Sequence, residues 1–535
     1  MFGLTACNVE VTDITPRTLY HDGVENKQTF TVRIQSEDEL NDVSFITRDG
    51  GRRSMQSLGN DEYELTTRIG FCTEVAEFKV EVSAGGLKNT HPAAGYYTHE
   101  VRGVPEGCDD NAPYARAYTV DVTEDFVDAR PGDGICFGRR ASSKIEGCSL
   151  RAAVMESNAW VGDDLILLSD LDYELDLTGD EGHTDLDPTV EDLDIRDSVT
   201  IEGINRTNAD VGDFLQSTFD NDTNLADDPD SRFAKIYGHS SFRAIQVSDG
   251  AVLRLRNLAV VGGATSGQGG GILNYGTISL ERVAVVGNVS RRGGFSGAGI
   301  ANHGSMFAED YAITQNEASG VNGQGGGLLN SGDVTMKRGI MAYNDARFGA
   351  GITNESGEVN VMNSTFGLHV WSRNTPSTVV DNKAGVMRFS FTTFAGHRSS
   401  RGLLSSSNGS DGLYLHNSLL MEGPSTYCSG NIKSLGGNVT DKPCAFDEES
   451  GDGDFIDVQL LANTQFEDMG GFTPTIRFSS PNGGTDFFDP TDKATGGPFM
   501  YTDQRGGTYL RRVDGNGDGI AHADPGAWEN PGARR

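Results

Sequence analysis

Four short stretches decide the fold: Gly271-Ile272-Leu273-Asn274, Gly299-Ile300-Ala301-Asn302, Gly327-Leu328-Leu329-Asn330 and Gly351-Ile352-Thr353-Asn354. Their asparagines lie 28, 28 and 24 residues apart. A second series, Asn288, Asn316 and Asn344, keeps the 28-residue spacing. Between these marks run short apolar segments divided by Gly/Asn turns. A repeat of that length is the signature of a solenoid, in which each coil buries its apolar side only by stacking on its neighbours. Leucine-rich repeats would need a denser Leu pattern, and propeller blades run longer. The expected fold is all-β, a right-handed parallel β-helix. Its glycines permit tight corners, and its stacked asparagines should form inward hydrogen-bonded ladders like those of other repetitive β stacks.

Working outward, strands at Leu165-Ile166-Leu167-Leu168, Val199-Thr200-Ile201, Arg388-Phe389-Ser390-Phe391 and Leu413-Tyr414-Leu415 extend the helix over residues 164–446. Residues 206–232 are acidic and turn-rich and should project from it, since a loop that long is uncommon without a role of its own. Residues 9–104 read differently. Phe30, Val32 and Ile34 alternate with polar residues, as do Val43 and Phe45, Tyr63 and Leu65, and Phe78, Val80 and Val82. Period-2 strands punctuated by Gly/Asp turns predict an immunoglobulin-like β-sandwich, joined to the rest by a linker over 105–118.

Two flanking segments resemble known modules. Pro131-Gly132-Asp133-Gly134-Ile135-Cys136 followed by Cys148-Ser149-Leu150-Arg151-Ala152-Ala153-Val154-Met155-Glu156-Ser157-Asn158-Ala159 resembles the bacterial CSLREA domain, with Ala152 and Ser157 as departures. The resemblance implies that residues 119–163 lead into a parallel β-helix of the pectate-lyase-like kind. Leu150, Ala153, Val154 and Ser157 share one helical face, so a short helix here could cover the open end of the solenoid, where backbone groups would otherwise lack partners. Capping is the expected role of Arg151 and Glu156. Residues 447–535, with Asp503-Gln504-Arg505-Gly506 and Asp524-Pro525-Gly526-Ala527-Trp528-Glu529, resemble the choice-of-anchor Q ending of bacterial surface and secreted β-helix proteins; Pro525 and Trp528 depart from its usual pattern.

Charge and cysteines narrow the setting. The 535 residues carry 43 Lys+Arg against 77 Asp+Glu, a net charge of −34, which argues against nucleic acid as a partner because that affinity comes from basic side chains. No run of 18 apolar residues exists to form a membrane-spanning helix. Leu4-Thr5-Ala6-Cys7 looks like a bacterial lipobox, so residues 1–8 are read as the remnant of a lipoprotein signal, with Cys7 the lipidation site and a peripheral lipid anchor as its consequence. Six further cysteines, Cys72, Cys108, Cys136, Cys148, Cys428 and Cys444, show no metal-ligand spacing and favour disulfides in an oxidising compartment. Neighbour pairing is one of the 15 arrangements that six cysteines allow.

Candidate functional residues are fewer. Asp514, Asn516 and Asp518 stand where a Ca²⁺ loop places oxygen ligands, and Asp524 or Glu529 could complete a looser site, with a polar Gly/Asp turn as the alternative; Pro525 at the twelfth position excludes an EF-hand. Tyr275, Phe295, Phe348 and Trp371 fall near coil corners as a candidate sugar-stacking strip, with turn packing as the alternative. Glu281, Glu309 and Lys337 share one repeat angle, and Arg282, Asp310 and Arg338 the next. The alternating second row predicts an inter-coil salt-bridge ladder rather than a catalytic trio. His303, His369, His397 and His416 are read as surface or turn residues. The expected function is an extracytoplasmic, cell-surface β-helix protein with a structural, adhesive or polysaccharide-binding role. The alternatives are a secreted polysaccharide lyase or glycoside hydrolase, which would need paired carboxyls or a base, and a subunit of a surface filament or layer.

Overall fold

The structure is a computed structural model. It describes residues 9–102 apart from short gaps at 16–17, 21–26, 37–39, 48–51, 60, 69–74, 85–86 and 93–95. It further describes 114–178 without 141 and 143, and 188–204. Residues 233–446 follow, without 292–295, 321, 370–377, 398–401, 408–411, 424–426 and 445, and then the pieces 454–456, 461–467, 473, 475–479 and 503–505. Two compact units emerge, 1–115 with 161–163, and 116–160 with 164–535.

The first unit is a β-sandwich. One sheet runs Val9–Thr15, Lys27–Ser36, Glu62–Arg68, Gln56–Gly59, and the other Thr18–Tyr20, Tyr97–Arg102, Val75–Ala84, Leu40–Thr47, Arg52–Ser54. The strand pairings are antiparallel except between Thr18–Tyr20 and Tyr97–Arg102. That division of strands is the immunoglobulin arrangement. Its core is aromatic: Phe30 lies 4.8 Å from Phe45 and 5.0 Å from Phe78, and the last two stack at 4.4 Å.

The second unit holds the right-handed parallel β-helix. Each coil carries three strand segments in register with those of the next coil. The third-side strands, including Ile272–Asn274, Ile300–Asn302, Leu328–Asn330 and Ile352–Asn354, form a nine-stranded parallel sheet. The first and second sides are continuous in the ten-residue strands Val252–Val261, Thr277–Val286 and Ser305–Thr314. Those strands bend at Asn257, Arg282 and Asp310, whose φ values are +51°, +55° and +52°. Leu253, Leu255, Leu258, Val260, Ile278, Val283, Val285, Met306 and Tyr311 point inward into one continuous core.

Both asparagine series are buried ladders. Asn274 Nδ2 donates to Asn302 Oδ1 at 2.6 Å, Asn302 to Asn330 at 2.8 Å, Asn330 to Asn354 at 2.8 Å and Asn354 to Asn382 at 3.0 Å. In the second, the Asn288 backbone and side-chain amides both donate to Asn316 Oδ1 at 2.9 Å, and Asn316 repeats the pattern on Asn344. This ladder then changes residue type: the Asn344 N–H donates to His369 Nδ1 at 3.2 Å, and the His369 ring stacks on His397 at 5.3 Å. His369, His397 and His416 are 4%, 3% and 3% exposed, which corrects the reading of them as surface or turn residues. His369 Nδ1 accepts where an asparagine would offer Oδ1, and His397 continues the column by ring stacking and not by a hydrogen bond to His369.

A helix, Leu150–Asn158, caps the first coil. Ser149 Oγ accepts from Ala152 N at 3.1 Å as its N-cap. Asn158 acts as a surrogate strand: it donates to Asp194 O at 2.7 Å and accepts from Arg196 N at 2.8 Å, along the edge of the first third-side strand, Leu193–Ile195. Arg151 forks onto Asp125 with two 2.8 Å bonds and donates to the carbonyls of Pro188, Glu191 and Asp192. Glu156 accepts from the amides of Gly132 and Asp133 at 3.0 and 3.2 Å. Disulfides join Cys136 to Cys148 beside this cap and Cys428 to Cys444 at the last coils. Cys7, Cys72 and Cys108 lie outside the described residues, as do 206–232.

Candidate functional site

The outer faces of the three sides differ, and the difference places the site. On the second side the outward row Ala259, Ala284, Ala312, Ile340, Thr365, Thr393 and Leu419 is at most 1% exposed. Part of its cover is visible: Thr365 Oγ1 donates to Gln504 Oε1 at 2.5 Å, while Arg505 pairs with Asp503 beside it. On the third side Leu273, Ala301, Leu329 and Thr353 point outward, yet are at most 4% exposed. The glycine-rich segments preceding each strand turn back over them. Gly297 and Gly349, with φ of +55°, lie so close that an added Cβ would meet Leu329 Cβ at 2.8 Å and Thr353 Oγ1 at 2.3 Å. Only glycine satisfies both the left-handed backbone and that approach.

Over these central coils the first side is therefore the open sheet face among the described residues; the third-side row opens only farther along, at Asp381, Ser405 and Ser429. The first-side strands alternate inward and outward with period 2. One outward row runs Arg254, Ser279, Phe307, Thr335, Asn360, Arg388, Tyr414, Lys433, and the next Glu202, Arg256, Glu281, Glu309, Lys337. Ser279, Glu281, Phe307, Glu309, Thr335 and Lys337 line a shallow cleft of about 130 Å³. Phe307 projects into solvent at 48% exposure.

Ion pairs organise the cleft's charges. Arg256 Nε lies 3.2 Å from Glu281, and Arg338 Nη2 lies 2.7 Å from Glu309. Arg338 also forks onto Asp310 with bonds of 2.8 and 3.0 Å across one coil. The row of Arg282, Asp310 and Arg338 is thus the expected inter-coil ladder in its Asp310–Arg338 step, set on the left-handed corner residues. Hydrogen bonding to Asp310 is the main reason that the Arg338 guanidinium is held above its ordinary pKa. Lys337 Nζ has no ion-pair partner among the described residues.

Other sequence candidates fall elsewhere. Tyr275 is 45% exposed and stacks on His303 at 5.1 Å on the corner after the third-side strands. His303 is tied to Ser331 at 2.6 Å and Gln268 at 2.8 Å, and burial lowers its pKa. Phe348 is half-buried under Arg347 in the segment that precedes the strand Ile352–Asn354, its backbone bridged to Gln324. The two aromatics therefore do not share a row. Phe295 and Trp371 lie outside the described residues, as do Asp514, Asn516, Asp518 and Asp524. Phe307 was missed in the sequence; its signal was an aromatic at an outward position of an otherwise alternating strand. No protein-family model, curated protein or solved structure matches the chain.

Proposed function

We propose that this chain is an extracytoplasmic, surface-displayed β-helix protein that binds glycan on the open face of its first side. The carrying observation is the contrast between faces over the central coils: two are buried by the chain itself there, and the third presents Phe307 between hydroxyl and charged side chains. An exposed ring flanked by hydrogen-bonding groups suits a sugar, whose C–H face packs on the ring while its hydroxyls meet polar side chains. The two disulfides accord with an oxidising compartment. The cap resembling the CSLREA domain and the lipobox-like start belong to the same reading, as do a peripheral lipid anchor at Cys7 and Ca²⁺ at Asp514, Asn516, Asp518 and Asp524.

The test is a glycan array probed with the full chain, with product release followed in parallel. Binding without release of unsaturated or reducing sugars supports the reading. Absence of any bound glycan would sink it. Turnover of uronate polymers, lost on replacing Lys337 or Arg338, would establish the lyase alternative instead.

A further inference from the structure

Among the described residues, Tyr275 and Phe307 are the only exposed aromatic side chains on the coils over 233–446. They stand on adjacent coils. Asn274 pairs with Asn302 and Ser279 with Phe307, so His303, the stacking neighbour of Tyr275, precedes Phe307 by four positions in one coil. At about 3.3 Å per residue and about 4.8 Å between strands, the Cα atoms of the two aromatics are at most about 14 Å apart. The outward positions between them belong to Thr277, Ser279 and Ser305, half-buried hydroxyl side chains that alternate with the buried Ile278 and Met306. None of the three carries a charge. The ion-paired Glu281 and Glu309 lie on the far side of Phe307, and Asp333 borders the path one coil on, where it accepts from Glu358 N.

We propose that Tyr275 and Phe307 are two stacking subsites of one track, which takes an uncharged oligosaccharide running from the cleft onto the corner, across the solenoid axis. This deepens the glycan-binding reading and rests on it. Tyr275 is built as a fixed platform. His303 backs one face of its ring and is itself held at both ring nitrogens, by Ser331 and Gln268. The equivalent position of the preceding coil is Ser248, since Val247 pairs with Asn274, and a serine is too short to cover the other face. A ring held in this way loses little freedom when a ligand settles on it. Burial lowers the His303 pKa, so the backing ring is neutral at pH 7 and adds no charge. Sugar C–H faces pack on the two rings, and the hydroxyls of the units between them exchange hydrogen bonds with Thr277, Ser279 and Ser305. One sugar ring cannot reach from platform to platform, so affinity depends on chain length.

The test titrates the full chain with hexasaccharides of glucose, mannose and N-acetylglucosamine and with the matching disaccharides. Hexagalacturonate and the glucosamine hexamer serve as acidic and basic controls. Wild type is compared with Y275A and F307A, and circular dichroism checks that both variants keep the fold. The expected result is a neutral hexasaccharide bound at least about tenfold more tightly than its disaccharide, with an affinity that added salt does not move. Each variant should weaken that hexasaccharide about tenfold, the scale of one stacking contact, and bring it close to the disaccharide. A hexasaccharide bound no better than its disaccharide, or unmoved by Y275A, overturns the proposal while leaving glycan binding intact. Preference for either charged hexamer does the same. No sugar bound, in titration or on the array, overturns both.

Discussion

Asn316 shows what a single residue does in this coil. Its side chain is fully buried and makes four contacts of hydrogen-bond length, accepting from Asn288 N and Nδ2 and donating to Val285 O and Asn344 Oδ1, all within 3.0 Å. Truncation removes these bonds and strands the amides above it in a dry interior. One buried unsatisfied polar group costs about 1–3 kcal/mol, so Asn316→Ala should lose at least about 2 kcal/mol in denaturant unfolding. Asn316→Asp keeps the acceptor but loses the donor and buries a charge, so it should be worse than alanine. If either variant unfolds at the wild-type midpoint, the ladder is ornamental. Phe307 makes the contrast at the same scale: its inward neighbours Met306 and Ala308 hold the core while its own ring touches solvent.

At the scale of the element, the cap helix stands on one side chain. Arg151 is 1% exposed and spends its donors on Asp125 and three carbonyls, and Asp125 also accepts from the amides of Asp176 and Leu177. Removing the guanidinium leaves a buried carboxylate uncompensated, a loss of about 3–5 kcal/mol. Arg151→Ala should therefore open the cap, read as loss of hydrogen-exchange protection across 150–158 and the adjoining first coil. Arg151→Lys should restore only part of it, because an ammonium cannot reproduce the fork. Unchanged protection in Arg151→Ala would show that the helix caps by apolar packing alone. How much of this was legible depended on periodicity. The 28-residue register made the ladders and the inward rows readable, because a parallel coil repeats each residue's environment. His369 and His397 escaped because they occupy the register positions that follow Asn344 with a different residue type. The open face escaped too: whether an outward row meets water depends on what folds over it, and the cover over Ala259 or Leu329 comes from elsewhere in the chain. Phe307 and Tyr275 looked alike as aromatics, and only register separates the row on the open sheet from the row on a corner.

For the whole molecule, stability is a chain of nearest-neighbour terms, so a weak rung is felt along the stack. The two ends are each fastened by a disulfide, Cys136–Cys148 and Cys428–Cys444, which leaves the titratable interior as the place where conditions act. Burial lowers the pKa of His369 and His416 to about 4. His397 is lowered well below its ordinary value, first by burial and then by the neighbouring His369. Their surroundings are Asn344 and Phe366 for the stacked pair, and Phe391 for His416. In the unfolded chain these rings titrate near 6.5. The unfolded state therefore takes up protons first as the pH falls, and stability is lost from about pH 6.5 downward, through the point near 4 where His369 and His416 titrate in the folded state. Denaturation midpoints measured between pH 7 and pH 4 should fall across that window. Carboxylate ion pairs weaken toward its lower end as well, so the histidine part is isolated by variants: H369N with H397N places asparagines at the next two register positions and should flatten the slope between pH 6.5 and 5, above the ordinary carboxylate range. A double variant with the wild-type slope in that interval would remove the histidines as the source of the acid sensitivity.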